Sequence, residues 1–271
     1  MRPRRYLGLE LFGARNQKTA LAALEYYPKE NKIFLLDIYE KVVSEEDQSS
    51  DAALVDAIDE LNLGVARMGV NVSFKLTPCI VCTRKTCPLP QKCTVQAVKW
   101  MREYSSRYSQ TKDILPYVQR PFELYARNAI LPKLDAHARF EIDETLGGTK
   151  GPLTARMHFL KRHLTDIPVI EVWPKLTIAV LSRQLKISKR EFNNYRKIEE
   201  GVHARGEILD ALVNEGGVFI YERDLRKLAS SLATFDAFIC AYTALLFDLG
   251  KCVKPPKGFP IDTGWVEHPA V

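Results

Sequence analysis

Four of the six cysteines in this 271-residue chain lie together, in Cys79-Ile-Val-Cys82-Thr-Arg-Lys-Thr-Cys87-Pro-Leu-Pro-Gln-Lys-Cys93. The spacing is C-x2-C-x4-C-x5-C. A C-x2-C pair can wrap two thiolates around one ion, and Pro78, Pro88 and Pro90 stiffen the loop. Arg84, Lys85 and Lys92 would offset the charge of a thiolate-rich site. Reduced structural thiols or two disulfides are the bland alternatives, and disulfides are disfavoured in a chain with no secretion signal. The expectation is a metal site at Cys79, Cys82, Cys87 and Cys93. Zn2+ leads, because four thiolates supply a closed tetrahedral shell, and an iron–sulfur cluster also takes four cysteines. Structural zinc contributes about 10–16 kcal/mol of apparent binding free energy, enough to order an insertion of this length.

Three acids stand in apolar surroundings. Glu10 lies between Leu9 and Leu11, Glu171 within Val169-Ile-Glu-Val-Trp-Pro174, and Asp236 within Phe235-Asp-Ala-Phe-Ile-Cys-Ala-Tyr-Thr-Ala244. Each has a plain alternative, a solvent-facing or hydrogen-bonded side chain. A charge buried in such a place needs a partner or a metal. Two acids on strands and one on a late helix can converge at one end of a sheet. Carboxylates ~5 Å apart repel by ~3 kcal/mol at an effective dielectric near 20, so such a group stays ionised only around a cation. Mg2+ or Mn2+, hard and oxygen-loving, fits best. Two such ions clamp the attacking and leaving oxygens of a phosphodiester.

The elements that must position these groups follow from periodicity. Strands are expected at Tyr6–Phe12, Thr19–Tyr27 and Lys32–Tyr39, with Leu7, Leu9 and Leu11 on one face of the first. A helix over Ser50–Asn62 and a strand over Val70–Leu76 follow. After the cysteines come a helix through Trp100 to about Arg107, and loops over 110–152 around a helix near Phe122–Leu131. A helix at Leu153–Thr165 leads to a strand at Val169–Trp173, where Pro174 opens the next helix. Leu176–Leu185, Lys189–Ile198 and Ala204–Val213 read as helices and Val218–Tyr221 as a short strand. One or two helices fill Arg223–Leu249, where Ala229, Ala233, Ala237 and Ala244 allow close approach to a sheet, and a Pro- and Gly-containing tail closes the chain. This order is that of an α/β, ribonuclease H-like mixed sheet flanked by helices. The expected organisation is one such domain over 1–271, with a Cys-rich and helical insertion at 78–152.

Bulk properties narrow the classes. Hydrophobic content of 46% and charged content of 27% place the chain among globular proteins rather than disordered ones. A net charge of +6 is compatible with a polyanionic partner without requiring one. The basic N-terminus is not followed by an apolar signal segment, and the longest apolar helix, around Phe235–Phe247, is interrupted by Asp236, Thr243 and Asp248. The expectation is a cytoplasmic protein with no membrane partner. Arg183, Lys186, Lys189, Arg190, Arg196 and Lys197 gather in one helical region with Phe192 and Tyr195. Such groups neutralise phosphates and stack on bases, although a solvated charged face is the simpler reading. Leu146-Gly-Gly-Thr-Lys-Gly151 lacks phosphate-loop spacing and reads as a loop. His158 and His163 are five apart, which does not make a zinc-binding pair, and Gly-x-Ser-x-Gly is absent.

The strand Tyr-Leu-Gly-Leu-Glu10, the strand Val-Ile-Glu-Val-Trp-Pro-Lys175 and the helix Phe-Asp-Ala-Phe-Ile-Cys-Ala-Tyr-Thr-Ala244 resemble the predicted-nuclease family catalogued as domain of unknown function 429. The Thr-Pro-Cys79 cluster and the segment from Gly-Phe-Pro260 to Trp265 are also similar to some of its members. The resemblance implies a ribonuclease H-like fold and divalent-metal-dependent hydrolysis of DNA or RNA. Its acids fall on Glu10, where aspartate is usual, on Glu171 and on Asp236. Two departures stand out: Asn71-Val-Ser-Phe-Lys75 has no fourth-strand acid, and Ala233 replaces a second helix acid. The alternative is therefore a catalytically degenerate module of the same fold that binds nucleic acid or protein.

Overall fold

The computed structural model describes residues 3–13, 19–42, 48–61, 64–108 and 114–270. The chain begins with strands β1 (Arg4–Glu10), β2 (Ala20–Tyr27) and β3 (Lys32–Tyr39), then helix α1 (Ser50–Leu61) and strand β4 (Val65–Val70). Between β4 and β5 lie helices α2 (Leu89–Lys92), α3 (Gln96–Ser105), α4 (Pro121–Tyr125) and α5 (Lys150–Leu160). Strand β5 (Val169–Val172) leads into α6 (Pro174–Leu181), α7 (Lys189–Asn194) and α8 (Glu200–Gly216). The chain closes with β6 (Val218–Phe219), α9 (Glu222–Ser230), α10 (Leu232–Asp248) and β7 (Val266–Glu267). Asn62, the expected end of α1, and 110–113 of the expected loop lie outside the described residues.

The strands form one mixed sheet in the order β6-β3-β2-β1-β4-β5-β7. β1, β2 and β3 are antiparallel neighbours, whereas β4, β5 and β7 run parallel to β1 and to one another. The central run 3-2-1-4-5 is the ribonuclease H-like arrangement expected from the sequence, and β6 and β7 are two-residue additions at its edges.

Alternation along β1 gives the sheet two faces. Leu7, Leu9 and Leu11 pack with Met68, Val70 and the apolar side of α1, while Tyr6 packs on the opposite face with α10 and α6. Helix α10 is buried from Ala233 to Leu246 and lies directly on the sheet backbone. A Cβ at Gly8 would stand 1.9 Å from the Ala237 carbonyl oxygen, and one at Gly69 would stand 2.3 Å from that of Cys240. Only glycine permits this approach, and it makes β1 and β4 the floor on which the helix rests.

Several boundaries differ from the sequence reading, each for a physical reason. The fourth strand is Val65–Val70 rather than Val70–Leu76, because it must pair with β1, Leu7 against Met68 and Leu9 against Val70. Arg67 interrupts its apolar run but is satisfied by Asp248 at 2.7 Å and by the Phe247 ring at 4.5 Å. Helix α5 starts at Lys150, since Pro152 fits in a first turn. Helix α7 ends at Asn194 instead of Ile198, leaving Tyr195 and Arg196 in the link to α8. The closing helices turn through 113°, with Ser231 capping α10 by accepting from the Thr234 amide at 3.3 Å. Strand β7 lies in what reads as tail.

The segment between β4 and β5 packs through aromatic contacts. Trp100 of α3 stacks on Tyr104 at 4.6 Å and meets Phe259 edge-on at 5.2 Å, while Phe122 of α4 meets Trp173 at 5.0 Å. Among the described residues no single helix is long and apolar enough to cross a membrane. The backbone contact of α10 gives a direct prediction. Gly8→Ala costs at least about 3 kcal/mol in urea unfolding. Gly206→Ala, in α8 with nothing within 4 Å of the added carbon, gains up to about 1 kcal/mol.

Candidate active site

Glu10 is the last residue of β1 and, in phase with Gly8, faces α10. Asp236 immediately precedes Ala237, whose carbonyl rests on Gly8. The contact of helix and strand therefore sets these two carboxyls in one buried place, 8% and 1% exposed. Asn71, just past β4, donates its side-chain amide to Glu10 Oε2 at 2.5 Å. Arg196 Nη1 donates to Asp236 Oδ2 at 2.9 Å, while Asp236 Oδ1 is buried without a hydrogen-bond partner. Burial, and then the neighbouring Asp236, push the Glu10 carboxyl up to about 8, against the Asn71 hydrogen bond and the charges of Lys150 and Arg196. Asp236 is also raised, by burial first, with Arg196, Lys150 and Arg205 opposing. The buried Tyr195 hydroxyl joins the same group: Arg196 lies over its ring at 5.7 Å, and Arg196 and both acids act on it electrostatically.

Glu171 is held apart from this pair. It lies beside Val70 in the parallel register, and alternation turns it to the face of Leu9 and Val70 rather than the face of α10. Both of its oxygens accept from Arg120, each at 2.8 Å. Ser73 Oγ at 2.9 Å and Trp173 Nε1 at 3.1 Å also donate to it. Arg120 also binds Glu123 at 2.9 Å, and Glu123 accepts from Thr145 at 2.7 Å. Burial favours neutral arginine, but the two carboxylates hold Arg120 charged. The sequence suggests three acids around a cation, and the structure assembles two of them. The third is already neutralised by the protein's own guanidinium. Among the described residues no group of three or more His, Cys, Asp or Glu side chains is spaced to hold a metal ion.

Beside the pair lies a cavity of about 180 Å3 at the carboxyl ends of β4 and β5, the place where open α/β sheets bind ligands. Asn71, Lys150, Lys175 and Arg196 line it together with Phe140 and Trp173. Lys175 stands over the Phe140 ring at 4.8 Å, and burial, then Arg196, lower its pKa. Of the basic residues expected to meet nucleic acid, Arg196 alone pairs with one of the two acids. Arg183 is exposed and paired with Asp135 at 2.7 Å, and Lys186, Lys189 and Arg190 are exposed along the α6–α7 turn.

The four expected metal-binding cysteines sit on the loop leading into α3 as free thiols: Cys93 buried, Cys79 half-buried, Cys82 and Cys87 exposed. The thiols of Cys87, Cys93 and Cys82 all act electrostatically on Cys79, whose pKa is raised by burial first.

Several site residues escape a reading of the sequence. Arg120 reaches Glu171 from 51 positions away, with no local signal. Lys150 sits in the glycine-containing segment that reads as a mere loop. Buried Arg205 ties the carbonyls of Tyr195 (2.5 Å) and Ala229 (2.7 Å), and so fixes the link that carries Arg196. Asn71 carries a visible hint, being a polar side chain next to the strand that must flank Glu10.

A family model described as "Protein of unknown function (DUF429)" matches residues 141–260, less than half of the chain. That stretch contains Glu171 and Asp236 but neither Glu10 nor the cysteine loop. No curated protein and no solved structure was found to match the chain.

The raised Glu10 carboxyl has a definite sign in stability. In the unfolded chain it ionises near the ordinary carboxylate range, whereas in the fold it keeps its proton to about 8. Its contribution is therefore full at acid pH and is lost as pH rises towards about 8. Without divalent cations, melting temperature should fall across this range by on the order of 5 °C more in the native protein than in Glu10→Gln, as read by thermal unfolding in parallel buffers.

Proposed function

We propose that this protein is a divalent-metal-dependent nuclease that hydrolyses phosphodiester bonds of DNA or RNA with a single Mg2+ or Mn2+ between Glu10 and Asp236. The observation that carries this reading is the buried Asp236 Oδ1, without a hydrogen bond, beside a second buried carboxyl. A buried acceptor left unsatisfied costs about 1–3 kcal/mol, and two adjacent desolvated carboxyls cannot both ionise without a positive charge between them. The donors are all oxygens, which suits a hard cation, and Asn71 offers a neutral third. Bound there, the ion would supply Lewis-acid stabilisation of charge on the phosphoryl oxygens.

The chain's own groups fit the remaining tasks. Arg196, Lys150 and Lys175 bring positive charge to the cavity wall, where a phosphate would sit. Trp173 offers an apolar ring to a base, and Phe140 carries Lys175 over its face. Glu171, fixed by Arg120, accepts from Trp173 Nε1 and so sets the indole at the cavity's edge. It is a positioning residue in this scheme rather than a metal ligand. The exposed Arg183, Lys186, Lys189 and Arg190 extend the basic surface for the rest of a polyanion.

A second reading rests on a different observation. Arg196 already closes on Asp236 and Arg120 on Glu171, so the protein carries cations of its own where a two-metal enzyme would carry metal. On this reading the fold is a nucleic-acid- or protein-binding module without turnover.

Cleavage assays on single- and double-stranded DNA and RNA oligonucleotides, with and without Mg2+ or Mn2+, separate the two. The nuclease reading expects cation-dependent cleavage that Asp236→Asn reduces at least about 100-fold, with melting temperature unchanged or raised. Salt-dependent binding that ignores chelators, with no cleavage under either metal, would establish the second reading instead.

A further inference from the structure

The loop from Cys79 to Cys93 is held at its ends, while from its middle the Arg84 side chain makes only an exposed bond to Thr94. Thr77 Oγ1 donates to the Tyr117 carbonyl at 3.0 Å, and the Cys79 amide donates to the Pro116 carbonyl at 3.0 Å. At the other end, Arg102 Nη1 donates to the carbonyls of Pro90 at 2.7 Å and Cys93 at 3.1 Å. Between these anchors, no residue from 80 to 92 is buried. Ile80, Val81 and Leu89 are 55%, 59% and 65% exposed, so apolar burial does not organise the turn. Leu89 also adopts a φ of +66°, a left-handed conformation that costs a branched side chain about 1–2 kcal/mol. Something other than a core must offset these terms.

Charge points the same way. From Pro78 to Arg102 the sequence contains no Asp or Glu, yet it carries Arg84, Lys85, Lys92, Lys99 and Arg102. The only groups on the loop that can become anionic are its four thiols. Three of them already bear electrostatically on the fourth, Cys79, and the Cys82 amide folds back to the Cys79 carbonyl at 3.4 Å.

We propose that Cys79, Cys82, Cys87 and Cys93 bind a thiophilic metal centre as thiolates, and that this centre holds the loop against the segment leading to Arg120. Four thiolates around a divalent ion, or around a cubane of iron and sulfide, leave a net negative charge that the surrounding Arg and Lys side chains balance. A single zinc ion requires the loop to draw in, since its sulfurs do not yet share one shell. An iron–sulfur cluster takes its thiolates on separate irons and accepts a wider spacing. Either occupant ties the turn to Pro116 and Tyr117, four and three residues ahead of the arginine that neutralises Glu171.

The test uses the full chain, purified anaerobically without chelators, with metal and acid-labile sulfide measured per chain. The expected result is about one zinc, or about four iron with matching sulfide and visible absorption. Cys82→Ser should remove it and Cys252→Ser should not. Because a Cys82 variant can fail by misfolding, thiol alkylation of the native protein gives an independent reading. Cys79, Cys82, Cys87 and Cys93 should resist alkylation until the metal is stripped, and then react. The proposal is overturned if reconstitution with Zn2+, or with ferrous iron and sulfide, leaves less than about 0.1 metal per chain while Cys82 and Cys87 alkylate at the rate of free thiols.

Discussion

Helix α10 touches the sheet backbone to backbone, and much else follows from that contact. With hydrogen in place of side chains at Gly8 and Gly69, the helix descends until its carbonyls meet the strands. Asp236 is then carried into the plane where β1 ends, and Glu10, two residues beyond Gly8, has nowhere to turn but towards it. Water is excluded from both carboxyls by the same approach that makes them neighbours. The site's electrostatics are thus a consequence of packing, and a larger residue at either glycine would separate the acids as it separated the layers.

The protein treats its buried acids in two ways. Glu171 and Glu123 are enclosed with Arg120, Ser73, Thr145 and Trp173, and hydrogen bonds account for the charges present. Removing one partner from such a group is far costlier than the group is stabilising, which makes it a rigid joint between α4 and β5. Among the described residues, Glu10 and Asp236 accept hydrogen bonds only from Asn71 and the half-exposed Arg196, and one carboxylate oxygen is left over. A closed network suits architecture. An incomplete one whose partners Asn71 and Arg196 line a cavity suits a ligand.

How much of this was legible in the sequence depends on how local each cause is. The alternation Leu7, Leu9, Leu11 gave the first strand and its faces, and the small residues of 229–244 announced a helix pressed on a sheet. Pro174 marked the start of α6. Strand β4 was displaced because Arg67 and Gly69 break its apolar run, and both are explained only by α10, which supplies Asp248 to one and a carbonyl to the other. Glu171 looked equivalent to Glu10, an acid between apolar neighbours. What divides them is the parity of the register together with an arginine far away in the chain, and neither can be read from spacing. The basic run 183–197 was visible as composition, but the end of α7 decides that only Arg196 closes on Asp236. Strand β7 is two residues long and exists because β5 offers it an edge.

On the proposed reading the carboxyls of Glu10 and Asp236 form a cation site to which Glu171 does not belong. Crystals soaked in Mn2+ and measured at the manganese edge test this most directly. One anomalous peak is expected, with an oxygen from each of Glu10 and Asp236 about 2.0–2.3 Å away, and Arg120 still bound to Glu171. Saturating Mn2+ with no peak between those carboxyls, or a peak on Glu171, would contradict it.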